Sequence, residues 1–367
     1  MEDKKLIHPI KFTPKKRTAV LVALATILTV LSAYLGLTFT SPTQKETPKD
    51  KFGQILAVGE TAVPFVSPPA SHFLPSSKWI PQTFNNCGPA AVSMALQHFG
   101  YTIPQEETKR KLRTGDDDKN IFMYQIKDYL KKDFGIESKI LVNGDIDTIK
   151  TLIANGIYVM VEDWLSPGED IGHVLVITGY DDNEGVLIAD DSYFGVNIKY
   201  PYQTWEETQW KPYNREFMPV YNREKENLVK AIVGENWSEN TMYRNAIAAS
   251  LKEVNSNPND MYALFNLGSN YFAIGEYQKA KDAFEKSQSL GWPPRMLWYF
   301  LDPIKNYNQL GEYQKALDLS KRALAGNEPF AEVHYERYLA YKGLGMNEAA
   351  EASLARALSL DPNLLSN

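Results

Sequence analysis

The sequence predicts an α+β domain followed by an all-α helical solenoid, with one transmembrane helix ahead of both. Three observations carry this reading. An uncharged apolar run occupies residues 18–39. Helix-periodic segments and then alternating β-rich runs fill the stretch from Lys78 to Tyr221. The string GEYQKA occurs twice, at 275–280 and at 311–316, within a helical C-terminal third.

The run 18–39 is 22 residues long and carries no charge. A helix needs about 20 apolar residues to cross a bilayer, and secretory h-regions are shorter, about 7–15. Length therefore favours an uncleaved anchor; a cleaved signal stays open, since Ser32 and Ala33 lie near its end. Lys4, Lys5, Lys11, Lys15, Lys16 and Arg17 precede the run, while the charges after it are mixed in sign. The positive-inside rule then puts residues 1–17 in the cytoplasm and the bulk of the chain outside, as a single-pass membrane protein. Residues 40–75 are rich in Pro, Ser, Thr and Lys and read as an extended linker.

The α+β domain is expected over 76–223. Apolar positions recur at helical spacing in 88–99, 105–114, 121–132 and 146–155. Strand patterns follow at 157–163, 173–180 and 185–192, with DDNEG at 181–185 as the turn between the last two. Trp205 and Trp210 follow these strands and read as packing residues.

Residues 224–367 form the helical domain. Gly275, Gly311 and Gly345 recur at spacings of 36 and 34, each four residues after a tyrosine (Tyr271, Tyr307, Tyr341). Such periods mark a helical solenoid. The unit resembles the tetratricopeptide repeat, through Leu264, Leu267, Gly268, Tyr271, Gly275, Tyr277, Ala280 and Phe284 in the first copy. The second copy departs at Asp302-Pro303, so its first helix is expected to kink or start late. A partial further unit is expected at 226–259. The resemblance implies a stack whose groove holds a partner protein, or one that packs on the preceding domain as a spacer.

Net charge is -6, so there is no basic footprint for nucleic acid. Hydrophobic residues are 44% and charged residues 23%, ordinary for globular protein. A single cysteine excludes an internal disulfide and a zinc site built on several thiolates. No cofactor and no metal is expected.

That cysteine, Cys87, opens a helix with Gly88 and Pro89. Proline suits a first helical turn, and the helix's positive end favours a thiolate. Of the five histidines, His8 precedes the membrane run, His72 is in the linker and His334 is in a repeat. His98 lies about 16 Å along the Cys87 helix at 1.5 Å per residue, too far for direct pairing. His173, at the head of a strand, remains.

The motifs CGPA, then HVLVITGYD at 173–181, then IADDSY at 188–193 resemble the papain-like cysteine peptidases related to the bacteriocin-leader-processing group. The resemblance implies an α+β papain-like fold with Cys87 as nucleophile and His173 as base. It implies Asp190 as the residue that orients the imidazole, with Asp191 as runner-up, and Gln82 as an oxyanion donor. Asn86 is an alternative to Gln82. The function implied is a membrane-anchored extracytoplasmic cysteine peptidase acting on a peptide or protein substrate. A non-catalytic peptide-binding scaffold and an acyltransferase using the same Cys/His pair are the alternatives. Double-glycine leader processing is not expected, because in those relatives the domain is cytoplasmic and fused to a transporter.

Overall fold

The computed structural model describes residues 63–113 and 120–365. The expected transmembrane segment 18–39 and most of the expected linker lie outside the described residues. Among the described residues, no helix is long and apolar enough to cross a membrane.

Among the described residues, seven strands form one antiparallel sheet: β1 (Ser71–Phe73), β2 (Glu137–Ser138), β3 (Tyr158–Trp164), β4 (Gly172–Asp181), β5 (Val186–Asp191), β6 (Gly195–Pro201) and β7 (Phe217–Tyr221). The order is β2-β7-β3-β4-β5-β6, with β1 added alongside β4. The strands read as continuous apolar runs because both faces are covered. Val174 and Val176 of β4 meet the Cys87–Gln97 and Met123–Phe134 helices through Ala91, Ala95, Ile126 and Leu130. Leu175 and Ile177 face the other way, onto Ile149, Leu152 and Ile153 of the Ile146–Ala154 helix and onto Trp205 and Trp210.

The anticipated helices and central strands stand within a few residues of their expected bounds. The turn at 181–185 forms as its residues dictate: Asn183 N donates to Asp181 Oδ1 at 2.9 Å, and Gly185 takes φ +67°. Strands β1, β2, β6 and β7 were not anticipated. The first of them corrects the linker's end, since Ser71–Phe73 pairs with β4 and Val66 N donates to Asn155 Oδ1 at 2.8 Å. Gly179 makes room for it, because a Cβ there would sit 3.0 Å from the His72 carbonyl oxygen.

The helical domain is built as the repeats dictate. Met261–Ala273 pairs with Tyr277–Ser289, and Ala331–Gly343 with Asn347–Leu360. Gly275, Gly311 and Gly345 turn the chain with φ of +79°, +71° and +73°. Ala280, Ala316 and Ala350 are buried. The second copy is interrupted where Asp302-Pro303 suggested: a short helix Met296–Tyr299 ends, and a new one, Asp302–Gln309, begins with the proline in its first turn. Ahead of the repeats, Glu226–Val233 and Glu239–Ser256 are helical, and the latter packs on Met261–Ala273.

The repeats dock on the sheet domain through mixed contacts. Arg295 donates to both oxygens of Asp170, at 2.9 Å from its backbone and 2.5 Å from its guanidinium. Trp164 meets Tyr299 edge-on and donates to the Tyr262 hydroxyl at 3.2 Å. Lys211 pairs with Asp260 at 2.7 Å.

Helix crossing inside the first repeat is tight. A Cβ on Gly268 would meet the buried Phe284 ring at 2.5 Å. Gly268→Ala should therefore cost about 1–3 kcal/mol through overpacking, net of the helix propensity alanine adds. An unchanged urea midpoint for this variant would contradict the crossing.

Candidate active site

Cys87 is the first residue of the Cys87–Gln97 helix and is partly exposed. The chain reaches it through Asn85 in the left-handed region (φ +57°), which asparagine tolerates better than most residues. At a helix start the first amides have no intrahelical partner, which suits the Cys87 N–H to serving a ligand. The Gly88 N–H donates to the thiol sulfur. A Cβ on Gly88 would meet only ordinary contacts with Ile121, at 3.6 Å, so packing does not demand glycine there.

The sulfur lies 3.9 Å from the Gly172 carbonyl oxygen, at the head of β4. His173 is the next residue, 2% exposed, and its imidazole interacts directly with the thiol. Its Nε2 lies 3.0 Å from Asp191 Oδ1 on β5. Asp191 is fully buried and heavily anchored. Oδ1 accepts from Tyr193 N at 2.6 Å and Phe194 N at 2.9 Å, and the Tyr200 hydroxyl donates to Oδ2.

These contacts set the charges. Burial pushes the Cys87 thiol up, but the hydrogen bond and charge of His173, the Gly88 amide and the Arg113 charge outweigh it and hold the pKa below the ordinary 9.0. Burial pulls the His173 imidazolium down, but Asp191 and Cys87 outweigh that and raise it to about 10. Burial also raises Asp191, and here His173, Tyr200 and the Phe194 amide win, so its carboxyl stays below its usual range. Both shifts favour a thiolate beside an imidazolium.

Asp190, the expected orienting residue, is turned away from His173. Successive side chains on a strand point to opposite faces. Asp190 pairs with Val176 across β4 and β5, on the face that holds the cysteine helix, whereas Asp191 pairs with Leu175 on the His173 face. Asp190 Oδ2 instead accepts from Ser77 N at 2.6 Å and lies 3.7 Å from Nε2 of His98, the histidine set aside above. His98 stacks on Tyr158 with ring centroids 3.8 Å apart. The correction is one residue, to Asp191.

Gln82 is held beside Asp191. Its backbone N–H donates to the Ser192 carbonyl at 2.9 Å, and its side-chain oxygen accepts from the Ser192 hydroxyl at 2.9 Å. The amide NH₂ is left to donate elsewhere. Asn86 is committed to structure: it donates to Thr83 Oγ1 at 2.6 Å and accepts from Arg113 at 3.0 Å.

Residues 72–218 match the Peptidase_C39 like family, and residues 262–290 and 331–364 match the tetratricopeptide repeat. The chain carries a C39-like peptidase domain followed by tetratricopeptide repeats. Solved structures similar to parts of it share low identity. A protein described as a C39-like peptidase from Bacillus anthracis is 16% identical over 42% of this chain and 98% of its own, with a TM-score of 0.33. A double glycine motif protease from an AMS/PCAT transporter, in complex with the leader peptide, is 12% identical over 41% of this chain and 94% of its own, with a TM-score of 0.32. MamA from Desulfovibrio magneticus RS-1 is 23% identical over 34% of this chain and 70% of its own, with a TM-score of 0.31. No curated protein matches.

The C39-like domain holds one further acidic residue that the motifs did not point to. Asp163 of β3 stands directly across from His173 in the strand register and is fully buried. Its Oδ2 accepts from Trp205 Nε1 at 2.6 Å, so Trp205 does more than pack. Burial raises the Asp163 carboxyl to about 7, against the pull of His173 and Trp205. The available signal was the ED ending of an otherwise apolar strand.

The two aspartates should separate cleanly. Asp191→Asn should slow alkylation of Cys87 at neutral pH by on the order of 10²-fold, the lower end of general acid–base effects. Asp190→Asn should lower the thermal midpoint and leave the alkylation rate near wild type. Comparable slowing in both variants would contradict the assignment.

Proposed function

We propose that this chain is a membrane-anchored, extracytoplasmic cysteine peptidase, a thiol hydrolase of peptide or amide bonds. The observation that carries it is the line from the Cys87 thiol through His173 to Asp191. The Cys87 sulfur attacks the scissile carbonyl carbon, and the oxygen takes the negative charge. The Cys87 N–H and the Gln82 amide stabilise that oxyanion, each donor being worth about 10²–10³-fold in such sites. The His173 imidazolium gives its proton to the leaving amine as the C–N bond breaks. His173, now neutral, takes a proton from water, which hydrolyses the thioester and releases the acid. Asp191 holds the imidazole's orientation throughout.

Exposed rings beside the site suit an extended peptide. Phe84, Tyr193 and Phe194 are 88%, 55% and 47% exposed, close in sequence to Cys87 and Asp191. The repeats beyond the docked region are read as the surface for a partner protein. The anchor rests on the uncharged run 18–39 and the basic residues before it. A second reading, peptide binding without turnover, draws on Tyr299: a Cβ on Gly172 would lie 2.4 Å from its ring, so the repeats crowd the residue next to the thiol.

With one cysteine, a thiol-directed electrophile reports on Cys87 alone. Because the thiol is held below 9.0, the pH midpoint of alkylation should lie below that of a free thiol. His173→Ala leaves burial as the dominant cause, so the thiol should move up and neutral-pH alkylation should fall by about 10²–10⁴-fold. Wild-type turnover of a peptide library, lost in Cys87→Ser, supports hydrolysis. Rapid alkylation in His173→Ala, or labelling without any turnover, would overturn it, the latter in favour of the binding reading.

A further inference from the structure

A cavity of about 330 Å³ lies between the C39-like domain and the repeats, within the usual range of ligand sites, about 300–1,000 Å³. Tyr213 and Tyr299 form part of its wall and also press on Gly172, whose carbonyl touches the Cys87 sulfur. The cavity therefore begins one aromatic ring away from the thiol. Tyr124, an exposed ring, stands at its edge.

Its walls are aromatic and acidic. Glu162 and Glu216 come from the sheet domain and Asp302 from the repeats. Glu332 lines it as well, and Lys305 is the cation among the lining residues. The hydroxyl of Tyr213, a residue 4% exposed, has no hydrogen-bond partner among the described residues. Among the described residues, no group of acidic and histidine side chains could hold a metal ion. Burial raises Glu162 well above its usual range, Glu216 to about 7, and Asp302 also, against the pull of Lys305 and Ser269. Lys305 offsets Asp302 in part, whereas no cationic side chain pulls Glu162 or Glu216 down. A cation between aromatic faces would supply the compensating charge.

We propose that this cavity is the specificity pocket of the thiol site and takes the basic side chain of a lysine or arginine in the substrate peptide. The inference rests on the peptidase reading above, and it gives the repeats a direct part in substrate choice. An ammonium or guanidinium seated there would stand near Glu162, Glu216 and Asp302, with its alkyl stem against Tyr213, Tyr299 and Phe300. A neutral chain of the same length would fill the space and leave the acids uncompensated.

The test reads binding, so it does not depend on turnover. The full chain as Cys87→Ala is titrated with a fluorescent, end-blocked alanine pentapeptide bearing one central lysine, arginine, norleucine or glutamate. Lysine and arginine peptides should bind about tenfold or more tighter than norleucine, as expected for a charge matched in a desolvated site. Glu216→Gln and Asp302→Asn, added singly, should each remove most of that preference while norleucine affinity and the thermal midpoint hold. Equal binding of lysine and norleucine peptides, or a preference that survives both substitutions, overturns the proposal. The two readings fail separately. An inert wild-type thiol with the basic preference intact would sink the hydrolase and keep the pocket. A reactive thiol with no basic preference would do the reverse.

Discussion

His173 faces Asp191 across two neighbouring antiparallel strands, with Nε2 3.0 Å from Oδ1. The rest of the site depends on that contact. Asp191 is fixed by two backbone amides and a tyrosine hydroxyl, so the imidazole has a rigid support. A supported imidazolium can hold a thiolate at the helix start, against the burial that would otherwise keep the thiol neutral. The helix is placed by ordinary apolar packing: Ala91, Val92, Ala95 and Leu96 seat it on the face carrying Val174 and Val176. Small residues there let the helix lie close to the sheet. Packing thus brings the nucleophile to the head of β4, and register brings the base to the acid.

The repeats are part of this arrangement as well as an appendage to it. Trp164, two positions past Glu162 on β3, anchors Tyr262, Tyr299 and Phe300 from the helical domain. The Asp170–Arg295 pair fastens the loop just ahead of Gly172. Tyr299 then reaches the residue beside the thiol. The break in the second repeat at Phe300 and Leu301 makes this possible. A continuous helix through that point would carry the Met296–Tyr299 segment in a different direction.

Much of this was legible in the residues, and the limits have physical causes. Helix periodicity located the cysteine helix, and the glycine spacing located the repeats. Asp302-Pro303 signalled the interruption because proline has no N–H to give and favours a first turn. Asp190 against Asp191 was not legible. Adjacent residues on a strand face opposite ways, and a slip of one position exchanges them. The register irregularities between Ile177 and Gly179 and between Ala189 and Asp191 decide it, and they are tertiary features. Asp163 and Trp205 are 42 residues apart and meet only when β3 is covered. Glu162, Glu216 and Asp302 are gathered by the docking of two domains, which no local pattern encodes. Short strands such as Ser71–Phe73 and Glu137–Ser138 are set by their partners, since two or three residues carry no periodicity.

The central claim is that His173, supported by Asp191, lowers the Cys87 thiol and so favours its thiolate. A thiolate absorbs near 240 nm, and with one cysteine the difference between wild type and Cys87→Ser isolates it while the 21 tyrosines cancel. The account predicts a thiolate difference whose midpoint lies below the ordinary 9.0. It also predicts that the midpoint moves above that value in His173→Ala. A midpoint at or above 9.0 in the wild-type chain, unmoved by the loss of His173, would contradict it.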